Sequence, residues 1–204
     1  MLEIRDASFD EKQVIDRVAD IHISTFQGFF LTFMGKGFLK QLYLSFCKHP
    51  ESGLLVATED GNTVGFLAYS GNYSGLFKYM IKTRLIPFAW YSAGAFFRKP
   101  KVFMHLVRAF LKPSETKRNE KYVELSSIGV DFCCKGKGIG TQLIDALKQR
   151  VDFSKHEYIT LETDAVDNEA AIHFYEKNGF IREKLFETAE GRKMYEYRFV
   201  GERQ

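Results

Sequence analysis

A basic, glycine-rich turn between an apolar segment and an amphipathic helix constrains this chain more than any other feature. The turn covers residues 133–140 and has glycine at positions 136, 138 and 140. Glycines let the backbone approach a ligand closely, and a helix start adds unpaired N–H donors and the positive end of the helix dipole. The sequence therefore predicts an anion site that suits a pyrophosphate. The apolar positions of the following helix have helical spacing: Ile139, Leu143, Ile144, Leu147 and Val151.

Two common nucleotide-binding motifs do not fit this turn. The phosphate loop of nucleotide hydrolases requires G-x-x-x-x-G-K-[ST], and the sequence contains no such run. The dinucleotide fingerprint requires G-x-G-x-x-G near the start of a βαβ unit, whereas Gly136, Gly138 and Gly140 have a different spacing. A nucleotide-binding protein is therefore a distant alternative.

A second motif follows the turn at the expected separation, and the two together resemble the GNAT N-acetyltransferases. The acyl-CoA loop of that family reads Arg/Gln-x-x-Gly-x-Gly/Ala after a strand, and residues 135–140 resemble it. Lys135 replaces the usual Arg or Gln, but its backbone N–H can still bind phosphate. The resemblance is clear over residues 120–200, weaker over 1–72 and absent over 73–119. The second motif matches in order and spacing at Asn168, Ala171, Phe174, Tyr175, Gly179 and Phe180.

The resemblance implies acetyl-CoA or CoA as cosubstrate and no metal. The pantetheine arm would pair with strand residues 128–130 as an added β-partner, and backbone N–H groups there would stabilise an oxyanion. Gly129 is interpreted as a candidate bulge where the strands part. The residues expected to bind the cosubstrate are Ile128, Gly129, Val130, Lys135, Gly136, Lys137, Gly138, Ile139, Gly140, Thr141, Asn168, Ala171 and Phe174.

Two residues are candidates for acid–base chemistry. An amine acceptor is mostly protonated at neutral pH, so a base, or a water held by one, should remove a proton. Glu124 lies eleven residues before Lys135, at the offset of the general base in the histone-acetylating branch; the alternatives are an exposed strand glutamate or an ion pair. Tyr175 matches the family's usual acid for the CoA thiolate, and otherwise it is a tyrosine that packs on the sheet.

The acceptor site is expected at the connection between the first two helices. This connection carries Phe26, Phe29 and Phe30, with His22 one turn earlier. Aromatic faces suit a sugar ring or an aliphatic amine, while core packing is the alternative for at least one ring. His22 is better interpreted as a hydrogen-bonded structural residue than as a catalyst. The TFQGFF segment weakly resembles bacterial GNAT proteins associated with surface-polysaccharide amino sugars.

Length and composition indicate one α/β domain, covering residues 1–204, in the cytoplasm. The chain has 204 residues and three cysteines without a Cys-x-x-Cys pair, which argues against a disulfide framework or a zinc site. The polar start argues against a signal peptide, and no apolar run is long enough to span a bilayer. The element order β-α-α-β-β-β-α-β-α-β-β matches the mixed, splayed sheet of the GNAT fold, flanked by helices.

Residues 73–119 are predicted to be a helical insertion, with two helices interrupted near Pro87 and Pro100. Between Tyr73 and Lys112 lie eight basic residues and no Asp or Glu, so the rest of the chain carries 3 − 8 = −5. Three interpretations stay open: a lid over the acceptor site, a homodimer face, or a peripheral patch on an anionic membrane. A solvated helix pair is the plain alternative, and nucleic acid is not expected because the whole chain is only mildly basic.

The sequence thus favours an N-acetyltransferase that moves an acetyl group from acetyl-CoA to a primary amine of a small molecule in a ternary complex. An amino sugar or sugar nucleotide is one such acceptor. The alternatives are an acetyltransferase that acts on a protein or peptide amine, and a catalytically inert acyl-CoA-binding or regulatory module. The acceptor, the acyl-chain preference and the oligomeric state do not follow from the sequence.

Overall fold

The computed structural model describes residues 1–98, 100, 121–188 and 191–201. The strands in these ranges are β1 (Leu2–Asp6), β2 (Ser52–Glu59), β3 (Asn62–Ser70), β4 (Tyr122–Val130), β5 (Tyr158–Asp164), β6 (Ile181–Glu187) and β7 (Lys193–Phe199). The helices are α1 (Lys12–Thr25), α2 (Phe30–Met34), α3 (Lys36–Lys48), α4 (Tyr73–Arg98), α5 (Ile139–Arg150) and α6 (Glu169–Lys177). A single 3₁₀ turn, Phe132–Cys134, links β4 to the glycine-rich turn.

The described strands form one mixed sheet in the order β1-β2-β3-β4-β5-β7-β6. Neighbouring strands are antiparallel except β4 and β5, which are parallel. The parallel pairing covers only Tyr122–Glu124 against Tyr158–Thr160. Beyond Glu124 the two strands separate, and this confirms the predicted splayed, mixed α/β sheet.

Helices cover both faces of the sheet and form two apolar cores. On one face, α5 packs Leu143, Ile144 and Leu147 against β2, β3 and β4, and the α6 residues Phe174 and Tyr175 join this cluster. The other face carries α1, α3 and the start of α4, and this second cluster includes Val18, Leu39, Tyr43, Phe66 and Leu76. The helical periodicity of α1, α3 and α5 therefore corresponds to their buried faces.

An extra residue in β4 changes which side chains face which core. Ala68 pairs with Ser127 and Tyr69 pairs with Leu125, so Ser126 is a bulge residue. Gly129 pairs in register with Phe66, and the expectation of a bulge at Gly129 is wrong. Glycine is needed there for another reason, because a Cβ on Gly129 would lie 2.8 Å from a ring carbon of Phe66.

The insertion differs from the prediction in its first part. One helix, α4, begins at Tyr73 and continues through Pro87, so the predicted interruption near Pro87 is wrong. Packing on both sides of the proline holds the helix: Leu76 and Met80 are buried before it, and the Phe88 ring lies 4.8 Å from the Phe38 ring after it. The second predicted helix, residues 102–111, lies outside the described residues.

The aromatic connection after α1 contains a helix that the sequence did not predict. The sequence predicts an aromatic connection between the first two helices, whereas the short helix α2 begins there at Phe30. Thr32 donates its hydroxyl to the Phe26 carbonyl oxygen at 2.7 Å and holds this short helix against the end of α1. Among the described helices, none combines the length and apolarity needed to cross a bilayer.

Candidate active site

The glycine-rich turn has the geometry of an anion-binding loop. Gly136 and Gly138 have φ values of +80° and +76°, a conformation that side chains with a Cβ rarely adopt. No atom lies within 4 Å of a Cβ placed on either residue, so the space above both glycines is open. Gly138 is also the residue before the first turn of α5, whose N–H groups point toward this space. The turn can therefore hold a phosphate group with backbone donors alone.

Contacts from two other elements fix the start of this turn. Asp131, the last residue before the 3₁₀ turn, accepts a hydrogen bond from the Cys133 N–H at 3.0 Å. Arg17 of α1 forms an ion pair with the same carboxylate and donates to the Thr63 carbonyl oxygen at 3.3 Å. On the outer side, the Lys137 ammonium pairs with Glu59 at 3.2 Å. The turn is thus anchored to α1 and to the β2–β3 hairpin.

The two sequence motifs meet at the first turn of α5. A Cβ on Gly140 would come 3.0 Å from the Phe174 ring, so glycine lets α6 approach α5 closely. The amide of Asn168 donates to the Thr163 hydroxyl at 2.7 Å and to the Asp164 carbonyl oxygen at 3.0 Å, and this ties the start of α6 to the end of β5. The Ala171 N–H in turn donates to the Asn168 carbonyl oxygen at 3.1 Å.

The remaining cosubstrate candidates lie in β4, in the turn after it and in the first turn of α5. Residues 128–130 of β4 pair with β3 on one side and extend beyond the β5 pairing on the other. Ile139 is buried in the core, so its side chain is not available to a ligand. Lys135 is exposed, with its ammonium 4.9 Å from the centre of the Phe132 ring, and Thr141 is half-buried in α5.

Tyr175 lies on the α5 side of the sheet with its phenol protonated. The ring is half-buried among Phe174, Phe180 and Tyr197, with centroid distances of 5.4, 6.1 and 6.2 Å. Burial raises the pKa of Tyr175 to about 12. The phenol therefore carries its proton at all physiological pH values, as a proton donor requires.

Glu124 lies on the opposite face of the sheet. It pairs with Ser70 of β3, and the bulge places it on the same face as Ser127 and Gly129, which pair with Ala68 and Phe66. Burial, and then the charges of Glu124 and Glu162, raise the pKa of the Tyr73 hydroxyl at the start of α4. Glu124, Glu162 and Tyr73 therefore form one polar cluster on this face.

Neither Tyr73 nor Glu162 was predicted from the sequence to lie near Glu124. Glu162 follows Thr160 by two positions on β5, and Thr160 pairs with Glu124, so both carboxylates project from the same face. The alternation of side chains along β5 could have predicted that Glu162 lies on the same face as Thr160. Tyr73 had no comparable signal, because its place depends on where α4 begins.

His22 is buried, with 2% of its surface exposed. Its Nδ1 lies 2.6 Å from the Tyr43 hydroxyl, which lies 3.3 Å from the Ser127 hydroxyl on β4. Burial lowers the pKa of His22 to about 4, so the ring is neutral. The Phe26 ring lies 4.6 Å from the imidazole. His22 therefore packs against Phe26 and is connected to β4 through the Tyr43 hydroxyl. A direct contact between His22 and an acceptor stays a prediction.

Phe29 links the α1–α2 connection to Arg192 and the end of β5. Its ring lies 5.7 Å from the Phe26 ring and is 41% exposed. The Arg192 guanidinium lies 5.3 Å from the centre of the Phe29 ring and forms a two-point ion pair with Asp164, at 2.7 Å to each oxygen. Arg192 therefore joins the Phe29 ring to Asp164 at the end of β5. The side chain of Phe30 lies outside the described set.

No cluster of three or more His, Cys, Asp or Glu side chains with the arrangement of a metal site occurs within the described ranges. The three cysteines are free: Cys47 is half-buried, Cys133 is exposed and Cys134 is buried beside the loop.

Comparisons with known proteins agree with this geometry. A structure of aminoglycoside 6'-acetyltransferase type Ii is 16% identical, with a TM-score of 0.62 over 97% of this chain and 96% of that chain. A Bacillus anthracis protein assigned as a streptothricin acetyltransferase, in complex with acetyl coenzyme A, is 18% identical, with a TM-score of 0.51 over 78% and 68%. The NatC complex bound to Gag peptide and CoA contains a chain that is 12% identical, with a TM-score of 0.58 over 98% and 99%.

At these identities the solved structures establish a shared fold. No curated protein sequence matches the chain at a significant level. The model of the acetyltransferase (GNAT) family matches residues 15–180, which is most of the chain. The glycine-rich turn, the splayed strands and this match together place the protein in the GNAT family of acetyltransferases.

Proposed function

We propose that this acetyltransferase transfers the acetyl group of acetyl-CoA to a primary amine of a small molecule, with an amino sugar or sugar nucleotide as the acceptor class. The observation that carries the proposal is the position of two groups about the gap between β4 and β5. Glu124 projects from one face of the sheet, and the protonated phenol of Tyr175 lies on the other. A thioester held in the gap would lie between a base and an acid.

The loop and the gap fit the two ends of acetyl-CoA. The open space over Gly136 and Gly138, at the start of α5, accommodates a pyrophosphate on backbone N–H groups. The β4 edge beyond Glu124 offers backbone groups to the pantetheine amides. Acetyl-CoA supplies the thioester as the activated acyl donor.

Glu124 and Tyr175 have complementary roles in the proposed step. The acceptor amine loses a proton to Glu124, directly or through a water, and its nitrogen forms a bond to the thioester carbonyl carbon. Among residues 128–130, those whose backbone N–H faces the gap rather than β3 stabilise the negative charge that develops on the carbonyl oxygen. The carbon–sulfur bond breaks, and Tyr175 donates its proton to the leaving sulfur. The products are the N-acetylated amine and CoA.

The surroundings of Glu124 favour a cationic acceptor with a flat apolar side. Glu124 and Glu162 make the local potential negative enough to influence Tyr73, and this potential attracts a protonated amine. Phe26 and Phe29 offer aromatic faces in the α1–α2 connection, and such faces suit the C–H face of a sugar ring. A peptide amine is the competing acceptor.

The proposal is tested by measuring CoA release and product mass against five groups of amines: amino sugars, sugar nucleotides, polyamines, amino acids and peptides. We expect turnover with the amino sugars or sugar nucleotides. Turnover with peptides alone would show that the acceptor is a polypeptide. Acetyl-CoA binding without turnover of any amine would support an inert binding module.

A further inference from the structure

The outward face of α4 is apolar and exposed. Its inner face is held by the core, where Leu76 and Met80 are buried against α1 and α3. On the outer face, Ile86, Trp90 and Phe97 are 82%, 77% and 80% exposed. These positions are four and seven residues apart, so the three side chains form one stripe along the helix. Exposed clusters of large apolar side chains on a folded domain usually mark an interaction surface.

The same stripe is basic at its N-terminal end. Lys78 and Lys82 precede Ile86 by eight and four residues, and both are exposed. The sequence of α4 contains no Asp or Glu. We define the α4 stripe as the five outward-facing residues Lys78, Lys82, Ile86, Trp90 and Phe97. The stripe therefore combines positive charge with an aromatic, apolar surface, and its helix contributes no acidic residue.

The charge pattern decides which occupant suits the α4 stripe. In a two-fold dimer through this stripe, the lysines of one copy would face either the lysines or the apolar end of the other, and neither helix carries a carboxylate to neutralise them. A nucleic acid would pair with the lysines but leave the apolar side chains in water. An anionic bilayer matches both parts, because phosphates contact the lysines while Trp and Phe enter the headgroup region.

We propose that the α4 stripe is a docking surface for an anionic lipid bilayer, on which the protein rests with α4 parallel to the membrane plane. Trp90 would lie at the level of the headgroups, where amphipathic aromatic rings are favoured. Lys78 and Lys82 would supply the preference for anionic lipids. The docking is independent of acetyl transfer, so it can hold even if the acceptor differs from the one proposed above.

Trp90 is the single tryptophan of the chain, so its fluorescence reports directly on the α4 stripe. We expect vesicles of phosphatidylglycerol and phosphatidylcholine to shift its emission to the blue, and brominated lipids to quench it. Vesicles of phosphatidylcholine alone should give a much weaker response. High salt should weaken binding, because it screens the lysine charges.

Two variants separate the apolar and the basic contributions. The Ile86→Ser/Phe97→Ser double variant should lose on the order of a hundredfold in vesicle affinity, since each buried side chain contributes roughly tenfold. The Lys78→Ser/Lys82→Ser variant should lose roughly fivefold per lysine on anionic vesicles only. Matched controls are Ile181→Ser and Lys177→Ser, which alter exposed side chains of β6 and α6 and should bind vesicles as the parent does. Unchanged stabilisation by acetyl-CoA would show that each variant is folded.

Three results would overturn the proposal. The first is Trp90 emission that does not respond to anionic vesicles. The second is an equal response to zwitterionic vesicles, which would remove the role of the lysines. The third is a concentration-dependent dimer that buries Trp90 without lipid, which would make a second copy the occupant.

Discussion

Gly140 faces the edge of the Phe174 ring, whose Cζ atom is 3.0 Å from the position of a Cβ on Gly140. This contact joins the two motifs that identify the family: one belongs to the first turn of α5 and the other to α6. The distance between the phosphate loop and Tyr175 thus depends on a residue without a side chain.

We predict that Gly140→Val destabilises the fold by about 1–3 kcal/mol, the usual cost of overpacking, and weakens acetyl-CoA binding by displacing α6. Adding Phe174→Ala should recover part of the loss, because it removes the ring that clashes. Urea unfolding of the two single variants and the double variant measures this coupling. Gln142→Val, at an exposed position of the same helix, controls for a β-branched residue in α5. Strictly additive effects would contradict the contact.

Substitution of Gly138, which has a positive φ, tests whether the glycine-rich turn binds the pyrophosphate of acetyl-CoA. At 100 times its dissociation constant, acetyl-CoA should stabilise the protein by about 2.7 kcal/mol, equivalent to about 5–10 °C in Tm. Gly138→Glu should abolish this shift, because a carboxylate would occupy the pyrophosphate position. Gly35→Glu is the matched control, since Gly35 also precedes a helix with a positive φ and open space. If Gly138→Glu keeps the full shift while Gly35→Glu behaves as the parent, the loop does not bind the cosubstrate.

Tyr175→Phe should lower kcat by about 10²–10⁴-fold while acetyl-CoA binding stays nearly intact, since only the proton donor is lost. The pKa of Tyr175 is raised to about 12, so the phenol stays protonated, and its ionisation should cause no loss of rate in the parent below pH 10. Steady-state kinetics of the two proteins from pH 6 to pH 10 measure both effects. Tyr195→Phe is the control phenol. A parent rate that falls between pH 8 and pH 10 with a fully active Tyr175→Phe would remove this residue as the acid.

Glu124→Gln should also lower kcat, and the loss should shrink as the pH rises and the acceptor amine deprotonates in solution. The measurement is the ratio of kcat between parent and variant across pH 6–9, with the exposed Glu157→Gln as the matched control. A full rate for Glu124→Gln at every pH would assign the base to another residue or to water.

His22 should make stability depend on pH. The pKa of His22 is lowered by burial to about 4 in the fold, whereas an unfolded histidine titrates near 6.5. Protons therefore favour the unfolded chain, so this stabilisation is complete above pH 6.5 and is lost as the pH falls toward 4. Between pH 7 and pH 5 we expect a loss of about 2 kcal/mol from this residue alone.

Urea unfolding at the two pH values tests this expectation. His22→Leu should be less stable than the parent at pH 7, because Tyr43 loses a hydrogen-bond partner, but its stability should decrease less between pH 7 and pH 5. Replacement of the exposed His173 by Leu is the control. An identical decrease in parent and His22→Leu would show that the buried ring is not the source of the pH dependence.

The sequence predicted α5 well because this helix has a strong local signal. Its apolar positions recur at helical spacing and depend only on neighbouring residues. The path of α4 through Pro87 did not follow from local rules, since the packing of Phe88 on Phe38 outweighs the lost hydrogen bond. The rule that proline interrupts a helix therefore predicted a helix end near Pro87 that does not occur.

The candidate site was only partly predictable for a related reason. The loop glycines and Tyr175 belong to contiguous motifs, so the resemblance to the GNAT family was enough to name them as candidates. Tyr73 and Glu162 join Glu124 through the pairing of β4 with β5 and the start of α4, which are contacts between distant parts of the chain. The depth of His22 depends on Tyr43 and Phe66 in the same way.

The extra residue at Ser126 has a consequence for engineering β4. Uniform alternation along the strand would assign Glu124 and Ser127 to opposite surfaces, whereas both occupy one surface because the strand changes phase between them. Deleting Ser126 would rotate one half of the strand by half a turn, and the side chains of that half would then face the opposite surfaces of the sheet. Insertions or deletions should therefore be far less tolerated here than point substitutions, and homologous strands should be aligned across this position as two separately phased segments.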